Sequence, residues 1–189
     1  MKLPLGVSVG LGFAPYAAFF IGARASSPGV GLWVALLAAI AIAALNRAAN
    51  RPPKLLEIGA VALFAGLIGF TALTGWTWTF MTIRLVVDSG LFLIILGSLA
   101  AKLPFTLQYA QERVTENVRQ SPQFRIVNNR ITAGWAVAFL VLIGAHTATS
   151  TGFGLPIWGD LITTIVVLAA AIVFSVRYPA YARGARIQA

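Results

Sequence analysis

The chain has 189 residues, of which 59% are hydrophobic and only 10% charged, and it carries a net charge of +9. Soluble globular domains carry about 25% charged residues, so the composition places this chain in lipid rather than water. It has no cysteine and one histidine, which excludes disulfides, thiolate metal sites, thiol catalysis and multi-histidine metal or haem centres built from this chain alone.

Stretches free of Asp, Glu, Lys and Arg run over 3–23, 25–46, 58–83 and 131–159; a further stretch over 85–101 carries only Asp88, and 161–176 carries no charge. A helix crossing the hydrocarbon core needs roughly 20 mostly apolar residues. The stretches lack the alternation of barrel strands, so helices are the remaining way to satisfy the backbone in lipid. The pattern predicts an all-α, polytopic membrane protein of six transmembrane helices. Its turns fall near 24–30, 47–54, 74–79, 102–130 and 150–158, within one transmembrane domain covering 1–189.

The first helix ends in Ile21-Gly22-Ala23-Arg24-Ala25-Ser26-Ser27-Pro28-Gly29-Val30-Gly31-Leu32. Ala23-Arg24-Ala25 has the small residues of a signal-peptide cleavage site. The fifth helix and its turn repeat the pattern, however, from Ile143-Gly144-Ala145-His146 to Ser150-Thr151-Gly152-Phe153-Gly154-Leu155. The first stretch is therefore expected to be a retained span. A shorter version, Ile68-Gly69-Phe70-Thr71, closes the third helix. Together these predict three tandem hairpin repeats, over approximately 1–51, 52–113 and 131–183. Small residues near the helix ends would let neighbours approach closely, and glycines at the tips would supply positive φ.

The basic residues follow the same plan. Lys2, Arg47, Arg51, Lys54, Lys102, Arg113, Arg119, Arg125, Arg130, Arg177, Arg183 and Arg186 fall on one side, against Arg24 on the other. This bias predicts an N-in/C-in chain in a bacterial-type inner (plasma) membrane. The positive charge is then topology, with anionic lipid headgroups as the expected partner and no nucleic acid. The plan leaves room for a homo-oligomer or a membrane-protein partner. Between the second and third hairpins, 103–130 reads as a cytoplasmic amphipathic segment, with Leu107, Ala110, Val114 and Val118 on one helical face and Ser121-Pro122 at its close. Its Tyr109, Glu112 and Arg113 are candidate partner-binding residues.

Ionisable groups inside a span are the best pointers to function, because each costs about 2.5–3.5 kcal/mol near the bilayer centre on insertion scales. Arg84 and Asp88, four residues apart, share a helix face and can neutralise one another; in a purely structural role Arg84 would snorkel outward. His146 occupies the repeat position held by Arg24 and Thr71. With Arg84 and Asp160 these residues could line an outer vestibule on an ion or solute pathway. Asp160 suits a helix N-cap and Glu57 the first turn of the third helix. No nucleophile elbow, phosphate-binding loop or zinc motif occurs, so neither enzymatic activity nor a cofactor or metal is expected.

The segment Pro104-Phe105-Thr106-Leu107-Gln108-Tyr109-Ala110-Gln111-Glu112, followed by Ser121-Pro122 and Asn129-Arg130-Ile131-Thr132, resembles a group of uncharacterised bacterial multi-pass membrane proteins with a PFTLQYA-type motif. More distantly it is similar to the septation protein A family of inner-membrane proteins. The match covers about 30 residues and implies fold and location rather than a site. Two functions fit the whole pattern. One is a small permease or channel for an ion or small solute. The other is a non-catalytic membrane scaffold or assembly subunit in cell-envelope organisation.

Overall fold

The computed structural model describes residues 5–112, 114–151 and 157–184, and among these the regular structure is entirely helical. Six long helices, α1 (Leu5–Ala25), α2 (Pro28–Ala48), α3 (Leu55–Thr74), α4 (Phe80–Ala100), α7 (Pro122–Ser150) and α8 (Ile157–Gly184), are joined by two short ones, α5 (Phe105–Gln111) and α6 (Glu116–Arg119). Five of them (α2, α3, α4, α7 and α8) are long and apolar enough to cross a membrane. Lys2, Arg113, Arg186 and the Gly152–Leu155 part of the expected repeat lie outside the described residues.

The chain packs as two compact units, one over Gly10–Ile94 and the other over Ile95–Ala189 with Met1–Val9. The boundary falls inside α4 rather than between hairpins.

In the Gly10–Ile94 unit, α1 and α2 form a tight helical hairpin. Ser27 caps α2, its hydroxyl accepting from the Val30 amide at 3.3 Å, and Pro28 follows at the first helical position. The helices then nearly touch. A Cβ on Gly31 would sit 2.6 Å from the Ala23 Cβ and 2.7 Å from the Ala23 amide nitrogen. The expected role of small residues therefore holds in this hairpin. It does not extend to Gly69 and Gly144, where a Cβ would meet nothing within 4 Å. Gly75 has φ +66 and ends α3, its amide donating to the Thr71 carbonyl at 3.0 Å. Only glycine adopts that left-handed cap without a steric cost. Phe19 and Tyr16 of α1 pack on Phe64 of α3, with ring centroids 5.9 and 5.4 Å apart, and Leu32, Leu56, Ile83 and Leu91 complete a buried apolar core.

The turn from α2 to α3 is held by a buried carboxylate. Glu57 lies in the first turn of α3, as its sequence position suggests, and accepts from the Asn46 side-chain amide at 2.7 Å. It also lies 3.5 Å from the Lys54 amide, one half of a capping box. Asn50 takes φ 52 at the end of α2, and the Arg51 amide reaches back to the Asn46 carbonyl at 2.9 Å. This is the double closure of a Schellman motif, and Pro52-Pro53 prevents the helix from continuing. The end of α4 repeats the device: Lys102 takes φ 58, the Leu103 amide bonds to the Ser98 carbonyl at 2.9 Å, and Pro104 follows.

In the other unit, the segment 103–130, expected to be amphipathic, is not one continuous helix. It breaks into α5 and α6, and Ser121-Pro122 opens α7 instead of closing the segment. Ser121 is an N-cap whose hydroxyl accepts from the Phe124 amide at 3.2 Å, with Pro122 at the first helical position. With 29 residues, α7 is about 43 Å long, well beyond the ~30 Å hydrocarbon core. It pairs along its length with α8 through the Trp135 indole and Ser175 hydroxyl at 2.9 Å and through Arg130 and the Tyr178 hydroxyl at 2.7 Å. Large apolar side chains such as Leu161, Ile165, Val166 and Ile172 point outward from α8, as lipid-facing residues do.

The contact at Gly31 gives a stability prediction. Gly31→Ala is expected to destabilise the detergent-solubilised protein by about 1–3 kcal/mol, because backbone rather than a side-chain tip must move. Gly29→Ala, which meets nothing within 4 Å, is expected to be neutral or stabilising by up to about 1 kcal/mol. Thermal unfolding of the two variants side by side checks both.

Candidate functional site

The α7–α8 hairpin carries two ionisable groups in its interior. His146 lies one turn before the end of α7, and Asp160 lies in the first turn of α8. Their side chains are each 1% exposed, and His146 Nδ1 stands 2.5 Å from Asp160 Oδ1. Sequence alone suggested Asp160 as an N-cap. It sits instead inside the first turn, with its carboxylate turned across the hairpin to the imidazole. Helix ends explain the placement: the carbonyl end of α7 favours a cation, and the amide end of α8 favours an anion. Thr147 donates to the Ile143 carbonyl and Thr164 to the Asp160 carbonyl, at 2.8 and 2.9 Å.

Of the other expected site residues, Arg84 is 6% exposed, and its guanidinium carbon lies 5.2 Å from the centroid of the Phe20 ring of α1. A desolvated cation–π contact of this kind is worth about 2 kcal/mol. Asp88 is half-buried one turn further along α4, and Arg24 is exposed at the end of α1. Thr71, aligned with Arg24 and His146 in the expected repeat, accepts a hydrogen bond from the Trp78 indole at 2.7 Å. Tyr109 is 1% exposed, Glu112 is half-buried, and Arg113 lies outside the described residues.

A third polar cluster was not anticipated. Thr106 of α5 donates to the Asn128 carbonyl of α7 at 3.0 Å, and its hydroxyl lies 2.8 Å from that of Thr132. The Phe105 ring meets Trp135 edge-on at 6.4 Å, and the Phe105 amide donates to the Ser98 hydroxyl at 3.3 Å. The Pro-Phe-Thr-Leu-Gln-Tyr-Ala motif is thus a docking element that seats a short helix on α7. Its seven residues are too few to show a periodicity, so only the three-dimensional contact reveals the role. Among the described residues no group of three or more His, Asp and Glu side chains is placed to hold a metal ion.

Comparison with protein-family models, curated protein sequences and solved structures finds no match to this chain.

The hydroxyl pair that seats α5 is open to a direct test. Thr132→Val keeps the shape of the side chain and removes the partner of the Thr106 hydroxyl, so it is expected to cost about 0.5–1.5 kcal/mol. Thr77→Val, in the exposed turn between α3 and α4, should change stability much less. Chemical unfolding in detergent measures the difference.

Proposed function

We propose that this chain is a small integral membrane permease for an ion or small polar solute, with six spans arranged as three tandem hairpins and both termini cytoplasmic. The observation that carries the reading is the His146–Asp160 pair, two ionisable side chains enclosed in an apolar hairpin. Burying such groups in a membrane is costly, and they persist chiefly where a pathway or a proton relay uses them. Arg84, enclosed beneath Phe20, adds a second polar departure. The sixth span is α1, whose 21 residues reach about 32 Å. The twelve-to-one distribution of basic residues supports the orientation and an inner-membrane location. The scaffold alternative is weakened by the burial of Tyr109, one of the residues expected to meet a partner.

Because the chain has no cysteine, single substitutions report topology cleanly. Thr74→Cys and Ser150→Cys are expected to react with an impermeant maleimide added outside intact cells. Ala48→Cys and Gln120→Cys should react only after the membrane is opened. Labelling of all four from the same side would remove the six-span plan.

Transport is checked in proteoliposomes, with fluxes of H⁺, Na⁺, K⁺, Cl⁻ and glycerol compared against protein-free vesicles. At least one flux is expected to rise, and Arg84→Ala and Asp160→Asn should each lower it about tenfold or more if the buried groups line the route. A protein that moves none of these probes, or variants that match the parent, would overturn the permease reading.

A further inference from the structure

The spacing of charges along α7 and α8 marks a depth. Residues 131–150 and 161–176 contain no Asp, Glu, Lys or Arg, and the first basic residues beyond them are Arg130 on α7 and Arg177 on α8. Twenty residues separate Arg130 from Ser150 at the far end of α7, and twenty separate Arg177 from Ile157 at the start of α8. At 1.5 Å per residue each run spans about 30 Å, the thickness of the hydrocarbon core. With the Ser150 and Ile157 ends at one interface, both arginines stand at the headgroup level of the other.

Packing between the helices sets the two at the same height. The Trp135 indole donates to the Ser175 hydroxyl, a Cβ on Gly134 would meet the Phe174 ring at 2.9 Å, and Arg130 donates to the Tyr178 hydroxyl at 2.7 Å. Around α8, Tyr178, Tyr181 and Arg177 fall within one arc of ~100°. The rings of Tyr178 and Tyr181 lie 6.4 Å apart, and Tyr181 is 72% exposed. Arg130 and Arg177 are exposed as well. A phenol that accepts from Arg130 keeps its own O–H to donate, and a guanidinium has N–H groups to spare.

Carboxylates stand elsewhere. No Asp or Glu occurs on α7, and the single one on α8, Asp160, lies about 26 Å from Arg177 along the helix. Glu116 of α6 pairs with Arg119 at 3.5 Å. Glu112 closes α5, which docks on Asn128 and Thr132, ~160° around α7 from Arg130. The two guanidiniums and the phenol are therefore donors set for an anion, and at this depth in a bilayer the anions are lipid phosphates.

We propose that Arg130, Arg177 and Tyr178, flanked by Tyr181, bind the phosphate of an anionic phospholipid whose acyl chains lie along the exposed apolar face of α8. This goes beyond the permease reading and does not depend on transport. A diffuse positive field attracts anionic lipid without choosing a place. Here the donors of three side chains on two helices gather on one face, and the contact is local.

The full chain in a neutral detergent is titrated with phosphatidylglycerol or with phosphatidylcholine, and native mass spectrometry counts the lipids retained. One phosphatidylglycerol is expected to bind about tenfold or more tightly than phosphatidylcholine, the size of one charge-assisted hydrogen bond. Arg130→Gln and Arg177→Gln should each erase most of that preference, and Tyr178→Phe should reduce it about threefold. Arg125→Gln controls for general charge, because Arg125 is exposed on α7 ~140° around the helix from Arg130. It should change the preference by less than about twofold. Absence of a preference in the parent protein overturns the proposal whether or not the variants fold. Equal losses in Arg125→Gln and Arg177→Gln overturn it too, since they mark a diffuse field. So does displacement of the lipid by inorganic phosphate, which would show a site for the free ion. A chain that holds the lipid and moves no solute supports this site and overturns the permease reading alone.

Discussion

The absence of water inside a bilayer is the constraint on which this structure depends. Each helix must close its own backbone hydrogen bonds, and each ionisable group must reach a partner or an interface. The exposed apolar side chains of α8 are not a defect under that constraint, since lipid is their solvent. Association between helices then comes from close packing and a few polar contacts. Gly31 against Ala23 supplies the first kind, and Trp135 with Ser175 the second.

Three of the polar contacts share a design. Glu57 bonds Asn46 across the turn from α2 to α3, Trp78 bonds Thr71 across the turn from α3 to α4, and His146 bonds Asp160 between α7 and α8. Each lies where two helices meet at a turn, not midway along a helix. Helix ends carry unsatisfied backbone groups and their partial charges, so a polar side chain there is partly compensated before it finds a partner. The same reasoning explains why the His146–Asp160 pair joins the carbonyl end of one helix to the amide end of the next.

Much of the helix plan was legible in the sequence, because five membrane-length helices leave long uncharged runs that few other structures tolerate. The start of α7 was legible too, in Ser121 followed by Pro122, but the pair reads as a stop or a start depending on what lies beyond it. Arg125 and Arg130 made 123–130 look like loop. In the structure they occupy the exposed first turns of a helix longer than the hydrocarbon is thick. Of the site, His146 and Asp160 could each be singled out, but not their pairing. Fourteen positions separate them, and contact depends on how the turn sets the two helix faces. Glycine was only partly informative: Gly22 and Gly144 hold the same place in the repeated pattern, yet only Gly22 has a neighbouring backbone close enough to need it.

Lys102 adds a point about how such a chain is built. It adopts a left-handed backbone at the end of α4, a conformation that glycine takes freely and a lysine takes at a cost of about 1 kcal/mol or more. A glycine there would relax the turn, but it would remove one of the charges that, in the proposed orientation, keep this turn cytoplasmic. The finished fold gains nothing evident from the charge. In that orientation its value falls earlier, while the nascent helices are being threaded into the bilayer, and the left-handed backbone is a small permanent strain in the mature protein.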